Sequence, residues 1–283
     1  TLFLPNSITV APNGNASTNN LEMISADAPG TYANGIGTNL NILDRVGDAP
    51  LSTSNSQSYN MIPSDISPYV PGYAGKQIAN NFSMSFDGVN DYFATGNTFN
   101  DLDGGTTMTL SVWIKPITGN GSYMIAHNPR NTTAEQSQFM LFFYSGFLEL
   151  SLSTRSQNVR ANPSAINMDN WNHIACVVDL SSSTKGIIYI NGVNETVAVA
   201  LTNFNAFEYA AGVMRIGEEQ TGYATPFLGN IDEFAIWDKA LNAGQIKNDI
   251  YNASLPLSSN KTADLENNPN LPTPVVWYRM GDN

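Results

Sequence analysis

Short runs of alternating apolar and polar residues begin at about residue 80. In the segment FSMSF, residues 82–86, every second residue is large and apolar, and the segment MTLSVWIK, residues 108–115, has the same period. Successive side chains of a β-strand point to opposite faces, so each run predicts a strand with one core face. Further strands are predicted at residues 138–144, 147–153, 173–179, 186–190, 193–199, 213–217 and 231–237. Many short strands separated by turn residues predict an all-β, two-sheet antiparallel jelly-roll sandwich rather than a parallel α/β sheet.

One tight hairpin is predicted within this series of strands. The dipeptide Asn191-Gly192 stands between the runs 186–190 and 193–199. Both central residues of a type I′ turn need positive φ, which Asn and Gly adopt more readily than other residues. We therefore expect the two strands to be joined by a two-residue turn at this point.

One short helix is predicted after the last long strand. Asn242 can cap its N-terminus, and Gln245, three residues later, can complete a capping box. Leu241 and Ile246 can make the apolar contact that often accompanies such a box. The pattern predicts a helix that ends at about Tyr251.

The chain divides into three parts by composition. Residues 1–79 are rich in Pro, Gly, Asn and Ser and have little sustained periodicity, which indicates an irregular N-terminal arm. The low charge of this arm argues against a free disordered tail, so we expect it to be ordered by packing. Residues 80–255 form the predicted jelly roll. Residues 256–283 form a proline-punctuated connector and a last strand, which we expect to continue in a longer polypeptide.

Composition narrows the classes of partner. Apolar residues make up 42% of the 283, enough to build a substantial core. Only 13% of the residues are charged, and the formal net charge is -12 with 12 Lys and Arg scattered singly along the chain. The chain therefore has no cluster of basic residues that could bind phosphate groups. We do not expect nucleic acid or an anionic membrane as a partner. No apolar run approaches the roughly 18 residues of a membrane-spanning helix.

Structural rather than chemical roles are predicted for most of the reactive and aromatic side chains. Cys176, the single cysteine, lies among apolar residues and is expected to be buried. His173 is expected to be packed, whereas His127, in the segment AHNPRN, is expected at the surface of a loop. With one cysteine, two histidines and no Gly-x-Ser-x-Gly segment, a nucleophilic triad is not predicted. Tryptophans within strand patterns are expected in the core, namely Trp113, Trp171 and Trp237.

Five segments, taken in order, carry a family resemblance. They read SMSFDGVNDYFATG, MTLSVWIKP, WNHIACVVDLSSSTKGIIYINGV, RIGEE and FLGNIDEFAIWDKALNAGQI. In this order and at this spacing they resemble the laminin G-like, pentraxin-like jelly roll of the concanavalin A superfamily over residues 80–252. The resemblance implies a concanavalin A-like sandwich with two antiparallel sheets of about six or seven strands each and the short helix against one edge.

The C-terminal segment carries a second resemblance. Residues 250–283, which end in the run WYRMGDN, resemble segments that follow such domains in structural proteins of marine bacteriophages. This resemblance implies a virion structural protein. The low charge and the Asn- and Ser-rich composition are consistent with a subunit that packs against neighbouring subunits.

The adjacent acids Asp232 and Glu233 are the nearest approach to a catalytic pair. Glycosidases need two carboxylates that flank one bond, and in the retaining enzymes of related sandwiches both lie on one strand. Adjacent residues of a regular strand point to opposite faces, so these two carboxylates are not expected to cooperate. We therefore expect that the protein is not an enzyme.

A structural calcium ion is the metal that the resemblance implies, since calcium binds carboxylate, amide and backbone oxygens at loop edges. Pentraxins bind it with a Glu-Gln-Asp run in the loop before the last long strand. Glu219 and Gln220 match the first two positions of that run, whereas the third position is Thr221.

A second calcium site in this superfamily joins the opening strand to the closing strand. Asp87, Gly88 and Asp232 match its positions, and Asp91 is a spare ligand. One ion there would neutralise the acids and join two sequence-distant strands. In the alternative interpretation, Asp87 and Asp91 serve turns and Asp232 accepts backbone hydrogen bonds.

Carbohydrate binding requires exposed aromatic rings beside amides and acids that bind hydroxyl groups. Residues of both kinds lie in or next to the predicted loops. The candidate ligand-binding residues are Tyr123, Asn128, Gln136, Gln138 and Tyr223.

The sequence therefore favours a non-enzymatic structural and recognition protein on a particle surface. A phage virion decoration, fibre or tail-associated protein is expected, with neighbouring subunits as partners in a homo-oligomer or virion and with surface glycans as ligands. The alternative is a secreted bacterial carbohydrate-binding module that depends on calcium. These two hypotheses place the protein on a virion surface or outside the cell.

Overall fold

A computed structural model of the protein describes residues 39–43, 50–54, 77–117, 123–130, 137–210, 212–218, 226–255 and 257–282. The chain divides into two compact units, residues 1–72 and 73–283. In the first unit, strand β1 (Asn39–Leu43) pairs antiparallel with β2 (Pro50–Ser54), and Asn39 lies opposite Ser54.

The first large sheet of the second unit has seven strands. In spatial order, β12, β11, β10, β6, β15 and β17 are neighbours, and β4 also pairs with β15. All of these pairings are antiparallel. The strands are β4 (Met84–Asp87), β6 (Thr107–Pro116), β10 (Asn172–Asp179), β11 (Gly186–Ile190), β12 (Val193–Asn194), β15 (Leu228–Trp237) and β17 (Val276–Tyr278).

The second large sheet has six strands in the order β13, β9, β8, β7, β14 and β5, again antiparallel. The strands are β5 (Phe93–Thr98), β7 (Met124–Pro129), β8 (Ser137–Tyr144), β9 (Phe147–Ala161), β13 (Thr196–Ala200) and β14 (Val213–Ile216). A short pair is formed by β3 (Gln77–Ala79) and β16 (Lys261–Ala263).

The core lies between the two large sheets. Leu110, Val112 and Ile114 are alternate residues of β6, and all three are fully buried in one cluster with Leu141 of β8 and Leu150 of β9. The period of two in the sequence therefore corresponds to the inner face of each sheet. This arrangement confirms the predicted all-β, two-sheet antiparallel jelly-roll sandwich.

The predicted hairpin is confirmed. Asn191 and Gly192 have φ values of 51° and 76°, and Ile190 lies opposite Val193 across the turn. The single strand predicted over residues 193–199 is wrong, because the chain leaves the first sheet after β12 and enters the second sheet as β13. A hydrogen bond from the Glu195 backbone N–H to the Ile188 carbonyl marks the crossing.

The predicted capping box is also confirmed. The Gln245 backbone N–H donates to Asn242 Oδ1 at 3.0 Å, and the Asn242 backbone N–H donates to Gln245 Oε1 at 2.9 Å. The helix (Gln245–Tyr251) ends at the predicted residue but is wound as a π-helix. Short 3₁₀ turns occupy Pro163–Ala165, Asn252–Ser254 and Leu257–Ser259. Across the described ranges, every helix is too short or too polar to cross a membrane.

The C-terminal segment contributes to the sandwich. β17 pairs antiparallel with β15, with Phe234 opposite Tyr278 and Ala235 opposite Trp277. β16, from the same segment, pairs with β3 at the end of the predicted N-terminal arm. The predicted domain boundaries at 79/80 and 255/256 stay predictions, although strands from both flanking parts pair with neighbours in the second unit.

Candidate ligand-binding site

The closing strand β15 contains a bulge at Asp232 and Glu233. Asp232 lies opposite Trp113 and Ala235 lies opposite Ser111, so β15 advances three residues while β6 advances two. Glu233 takes up the extra residue with a φ of 50°. The next core residue after Ile231 is Phe234, three positions later, and neither acid belongs to the core cluster. The expectation that the two acids point to opposite faces is therefore wrong, because the bulge interrupts the alternation.

Both carboxylates are engaged by side chains from distant parts of the chain. Asp232 Oδ2 accepts a hydrogen bond from Asn80 Nδ2 at 3.0 Å, and Oδ1 accepts one from the Glu233 backbone N–H at 2.8 Å. Glu233 Oε2 accepts a hydrogen bond from Trp277 Nε1 at 2.6 Å. Arg279 Nε lies 3.5 Å from Glu233 Oε1. The pair therefore joins β15 to the segment before β4 and to the C-terminal strand.

Burial shifts the titration of this acid pair. The side chains are 4% and 2% exposed, and burial is the main reason that the pKa of Asp232 rises to about 7 and that of Glu233 to about 8. The charge of Asp232 raises the pKa of Glu233 further, whereas Arg279 lowers both. The acids interact, so these values belong to the pair, which titrates near neutral pH.

A cavity of about 190 Å³ opens beside Asp232. Aromatic rings and hydrogen-bonding side chains line it together. The aromatic residues are Phe82, Trp113 and Trp171, and the polar residues are Asn80, Asn81, Ser83, Asp232, Ser254, Asn260, Lys261 and Thr262. Phe82 is 63% exposed and Trp171 is half-buried, so both rings can be reached from solvent.

The inner wall of this cavity is held by stacked rings. Trp113 is 5% exposed and stacks on Tyr251 of the helix, with ring centroids 5.9 Å apart, and it also contacts His173 at 5.3 Å. His173 Nε2 lies 2.8 Å from Ser111 Oγ, and burial lowers the pKa of the histidine to about 3. The packed histidine predicted from the sequence is confirmed. Trp171, by contrast, precedes β10 and lines the cavity, so its assignment to the core is wrong.

A larger cavity of about 500 Å³ lies along the C-terminal segment. Its apolar lining is Ile78, Met84, Phe93, Trp277, Tyr278 and Met280, and its polar lining is Asp264, Glu266, Asn267, Arg279 and Asp282. Residues 80–83 line the smaller cavity, whereas Ile78 and Met84 line the larger one. The two cavities therefore flank one stretch of chain, residues 78–84.

The predicted calcium ligands of the opening strand form a turn. Asp87 Oδ1 accepts hydrogen bonds from the backbone N–H groups of Val89 at 2.8 Å and Asn90 at 3.3 Å. The first of these bonds is the main cause of a lowered Asp87 pKa. Asp91 Oδ2 accepts from the Asp87 backbone N–H at 2.9 Å, and Gly88 has a φ of 77°. The side chains of Asp87 and Asp91 thus serve the turn, as the alternative interpretation expected.

The structure does not bring Asp232 to this turn. Asp87 lies opposite Leu228, and Asp232 follows four residues later on β15, roughly 13 Å along a strand. In the part of the chain that the structure describes, no three His, Cys, Asp or Glu side chains form a group that could hold a metal ion. One ion joining the opening and closing strands does not fit this donor set. Glu219 and Gln220 lie outside the described residues.

The residues predicted to bind carbohydrate are buried, as far as they lie within the described part of the chain. Tyr123 is 8% exposed and packs edge-on against Phe227, with ring centroids 6.4 Å apart. Asn128 Nδ2 donates to Gln138 Oε1 at 2.9 Å, and Gln138 Nε2 donates to the Glu208 carbonyl at 2.7 Å. These two amides lie on the paired strands β7 and β8 and bind each other rather than face solvent. Two further candidates lie outside the described residues: Gln136 and Tyr223.

The remaining reactive side chains are also packed. His127 is 1% exposed on β7, so the expected surface loop is wrong. Its Nε2 lies 2.8 Å from Ser137 Oγ, and burial, with a smaller effect of Arg215, lowers its pKa to about 4. Cys176 is fully buried, as predicted, and burial raises the pKa of its thiol.

The second unit is thus a two-sheet antiparallel jelly roll with an aromatic and polar cavity beside β6 and β15. The profile described as the concanavalin A-like lectin/glucanases superfamily, of laminin G type, matches residues 87–247. The chain belongs to this superfamily, which confirms the predicted resemblance.

Solved structures to which the chain is similar include a heptameric SAP-like pentraxin from Limulus polyphemus, with 21% identity, 61% of this chain and 80% of that chain covered, and a TM-score of 0.46. A candidate carbohydrate-binding protein from Bacteroides ovatus has 16% identity, with 73% of this chain and 52% of that chain covered and a TM-score of 0.50. The chain thus spans about half of the Bacteroides protein. Among curated protein sequences, no match is found.

Proposed function

We propose that the protein binds carbohydrate in the cavity lined by Phe82, Trp171 and Asp232. The combination of accessible aromatic rings with amide and carboxylate groups in one cavity carries the proposal. An aromatic ring supplies an apolar surface for the C–H face of a sugar, and the polar groups bind its hydroxyls. The concanavalin A-like fold supports the proposal only by placing this cavity on a rigid sandwich.

The acid pair favours an uncharged sugar over an anionic one. Asp232 lines the cavity, and Glu233 lies next to it on the same strand. A carboxylated sugar would bring a further negative charge close to this buried acid pair and would oppose its ionisation, which costs free energy. Lys261, at the exposed rim, is the basic residue of this lining. A neutral hexose or pentose unit is therefore the ligand class that we propose.

The acid pair serves structure and binding rather than catalysis in this proposal. Glu233 accepts a hydrogen bond from Trp277 and pairs with Arg279 at 3.5 Å, and Asp232 accepts from Asn80 and a backbone N–H, so each carboxylate has at least one partner. A glycosidase would need one acid free to protonate the leaving group. Release of nitrophenol from neutral aryl glycosides, above a Glu233→Gln control, would contradict this part of the proposal.

Binding to a panel of neutral mono- and oligosaccharides, measured by calorimetric titration, tests the proposal. Trp171→Ala and Phe82→Ala should each weaken binding about tenfold, since ring stacking contributes roughly 0.5–1.5 kcal/mol beyond the buried area. Tyr209→Ala is the matched control, because Tyr209 is 58% exposed and does not line the cavity. Equal losses in all three variants, or full binding by Trp171→Ala, would refute the site.

We also propose that the protein is a structural and recognition protein on a particle surface. In this proposal it is a component of a phage virion and forms oligomers with neighbouring subunits. The low charge and the C-terminal resemblance to phage structural proteins support this assignment. A secreted bacterial carbohydrate-binding module is the alternative. Copurification of the chain with intact particles supports the first, whereas a monomer recovered from culture medium supports the second. Calcium binding by Glu219 and Gln220 stays a prediction.

A further inference from the structure

We propose that Asp282 is a positioning residue for the sugar site, and that its carboxylate holds the chain at Asn81 and Phe82 in the shape that forms the cavity wall. This inference rests on the proposed function, because it assigns a role to a residue outside the cavity that we assign to sugar binding. Asp282 itself lines the larger cavity, on the other side of residues 78–84.

Three hydrogen bonds define the contact. Asp282 Oδ2 accepts from the backbone N–H of Asn81 at 2.7 Å and from that of Phe82 at 2.8 Å, and Oδ1 accepts from Asn81 Nδ2 at 3.3 Å. Two hundred residues separate the donors from the acceptor. Arg279 adds a hydrogen bond to the Ala79 carbonyl, so the C-terminal segment contacts this stretch twice.

The stretch that Asp282 holds lacks strand pairing of its own. β3 ends at Ala79 and β4 begins at Met84, so residues 80–83 lie between strands. Asn81 and Phe82 are both exposed, and burial of their side chains cannot fix them. A carboxylate that accepts two adjacent N–H groups fixes the backbone directly. Because the same residues line the sugar cavity, this contact also sets where the Phe82 ring stands.

A tight turn aims the Asp282 carboxylate. Met280 and Gly281 have φ values of 47° and 123°, and the Asp282 backbone N–H donates to the Arg279 carbonyl at 3.2 Å. A Cβ atom at Gly281 would stand 3.0 Å from Phe82 Cβ. Glycine is therefore required at this position for the turn and for the close approach of Phe82. The RMGD run, residues 279–282, thus forms the turn that directs the Asp282 carboxylate toward Asn81 and Phe82.

The chain offers a closely matched control at Asp264. Asp264 is 5% exposed, as against 7% for Asp282, and it too accepts two backbone N–H bonds, from Glu266 at 3.2 Å and Asn267 at 3.0 Å. It also accepts from the Asn267 side-chain amide at 3.1 Å. Asp264 lines the larger cavity and not the smaller one, and the hydrogen bonds above join it to Glu266 and Asn267. Loss of either carboxylate removes similar bonds, but only Asp282 holds the wall of the sugar site.

The test uses the full chain with Asp282→Ala, Asp282→Asn, Gly281→Ala and Asp264→Ala. Hydrogen exchange at the Asn81 and Phe82 amides and calorimetric titration with the best neutral saccharide are measured beside the melting temperature. We expect Asp282→Ala to weaken saccharide binding at least about tenfold, since a supporting residue displaced by about 1 Å loosens a site. Faster exchange at both amides should accompany that loss. Asp282→Asn should recover part of the affinity, because its amide oxygen still accepts.

The outcomes separate this inference from the proposed function. If wild type binds none of the saccharides, the proposed function fails, and faster exchange at the Asn81 and Phe82 amides in Asp282→Ala still supports the contact. Unchanged exchange in Asp282→Ala overturns it, as does unchanged affinity in a chain that binds. Asp264→Ala should lower the melting temperature without weakening saccharide binding, and an equal affinity loss in that control would also overturn the inference. Gly281→Ala should weaken binding as well, by displacing Phe82.

Discussion

Replacement of Glu233 by Gln should remove a large part of the pH dependence of folding stability. The side chain is 2% exposed, and burial raises its pKa from an ordinary 4.5 to about 8. An acid with a raised pKa in the folded state opposes folding wherever it is ionised. The destabilising effect of Glu233 is therefore absent below about pH 4.5 and grows as the pH rises toward about 8.

The magnitude follows from the two pKa values. One pKa unit corresponds to about 1.4 kcal/mol, so a rise from 4.5 to about 8 corresponds to a stability loss of at most about 5 kcal/mol. Part of that loss belongs to Asp232, because the two acids titrate as a pair. We therefore expect the acid pair to lower the stability of wild type by about 3 to 5 kcal/mol between pH 5 and pH 9, and the Glu233→Gln variant to lose about 2 kcal/mol less than wild type over that range.

Urea unfolding followed by tryptophan fluorescence at pH 5, 7 and 9 measures this difference. The variant keeps an amide oxygen that can accept from Trp277 Nε1, so its stability at pH 5 should be close to that of wild type. Glu266→Gln is the control for charge alone, because Glu266 is exposed. Parallel stability curves for wild type and Glu233→Gln between pH 5 and pH 9 would refute the reasoning.

Two further predictions concern the buried histidines and Asp87. His127 and His173 have pKa values lowered by burial to about 4 and about 3, so the stability that their neutral forms contribute is complete above about pH 6.5 and declines as the pH falls toward 4. Urea unfolding of His173→Gln should show a shallower loss over that range than wild type, and an identical slope would contradict this. Asp87→Asn should lower the melting temperature by a few degrees at most, equally with calcium and with a chelator, because Asp87 serves a turn; a loss seen only with calcium would restore the metal assignment.

The fold could be predicted because its determinants are local. Alternation in β6, the Asn191-Gly192 turn and the Asn242 capping box each need only neighbouring residues, and each is found where the pattern placed it. The strand at 193–199 failed for a non-local reason. Its alternation continues through Glu195, whereas the chain changes sheet there, and only the pairing partners on either side reveal the change.

The site could not be predicted, since it depends on contacts between distant segments. A bulge is a mismatch between β15 and β6, so Asp232 and Glu233 alone give no indication that they share a side. Trp171 resembles a core residue in sequence, and its access to solvent depends on its place at the cavity wall with Ser254, Leu257 and residues 260–262. Asn128 and Gln138 resemble surface amides, and burial is tolerated only because each finds a hydrogen-bond partner.

The bulge connects the stability of the sandwich to the shape of the cavity beside Asp232. Were it removed by a one-residue slip, every later side chain of β15 would change face, and Phe234 and Ile236 would leave the core. The register is therefore fixed by the core. This register places two buried acids side by side, and their burial costs free energy. Trp277 and Arg279 offset this cost from the C-terminal strand. The same segment also supplies Asp282, which accepts from the backbone N–H groups of Asn81 and Phe82 in the cavity wall, so one segment contacts both the bulge and the cavity beside it.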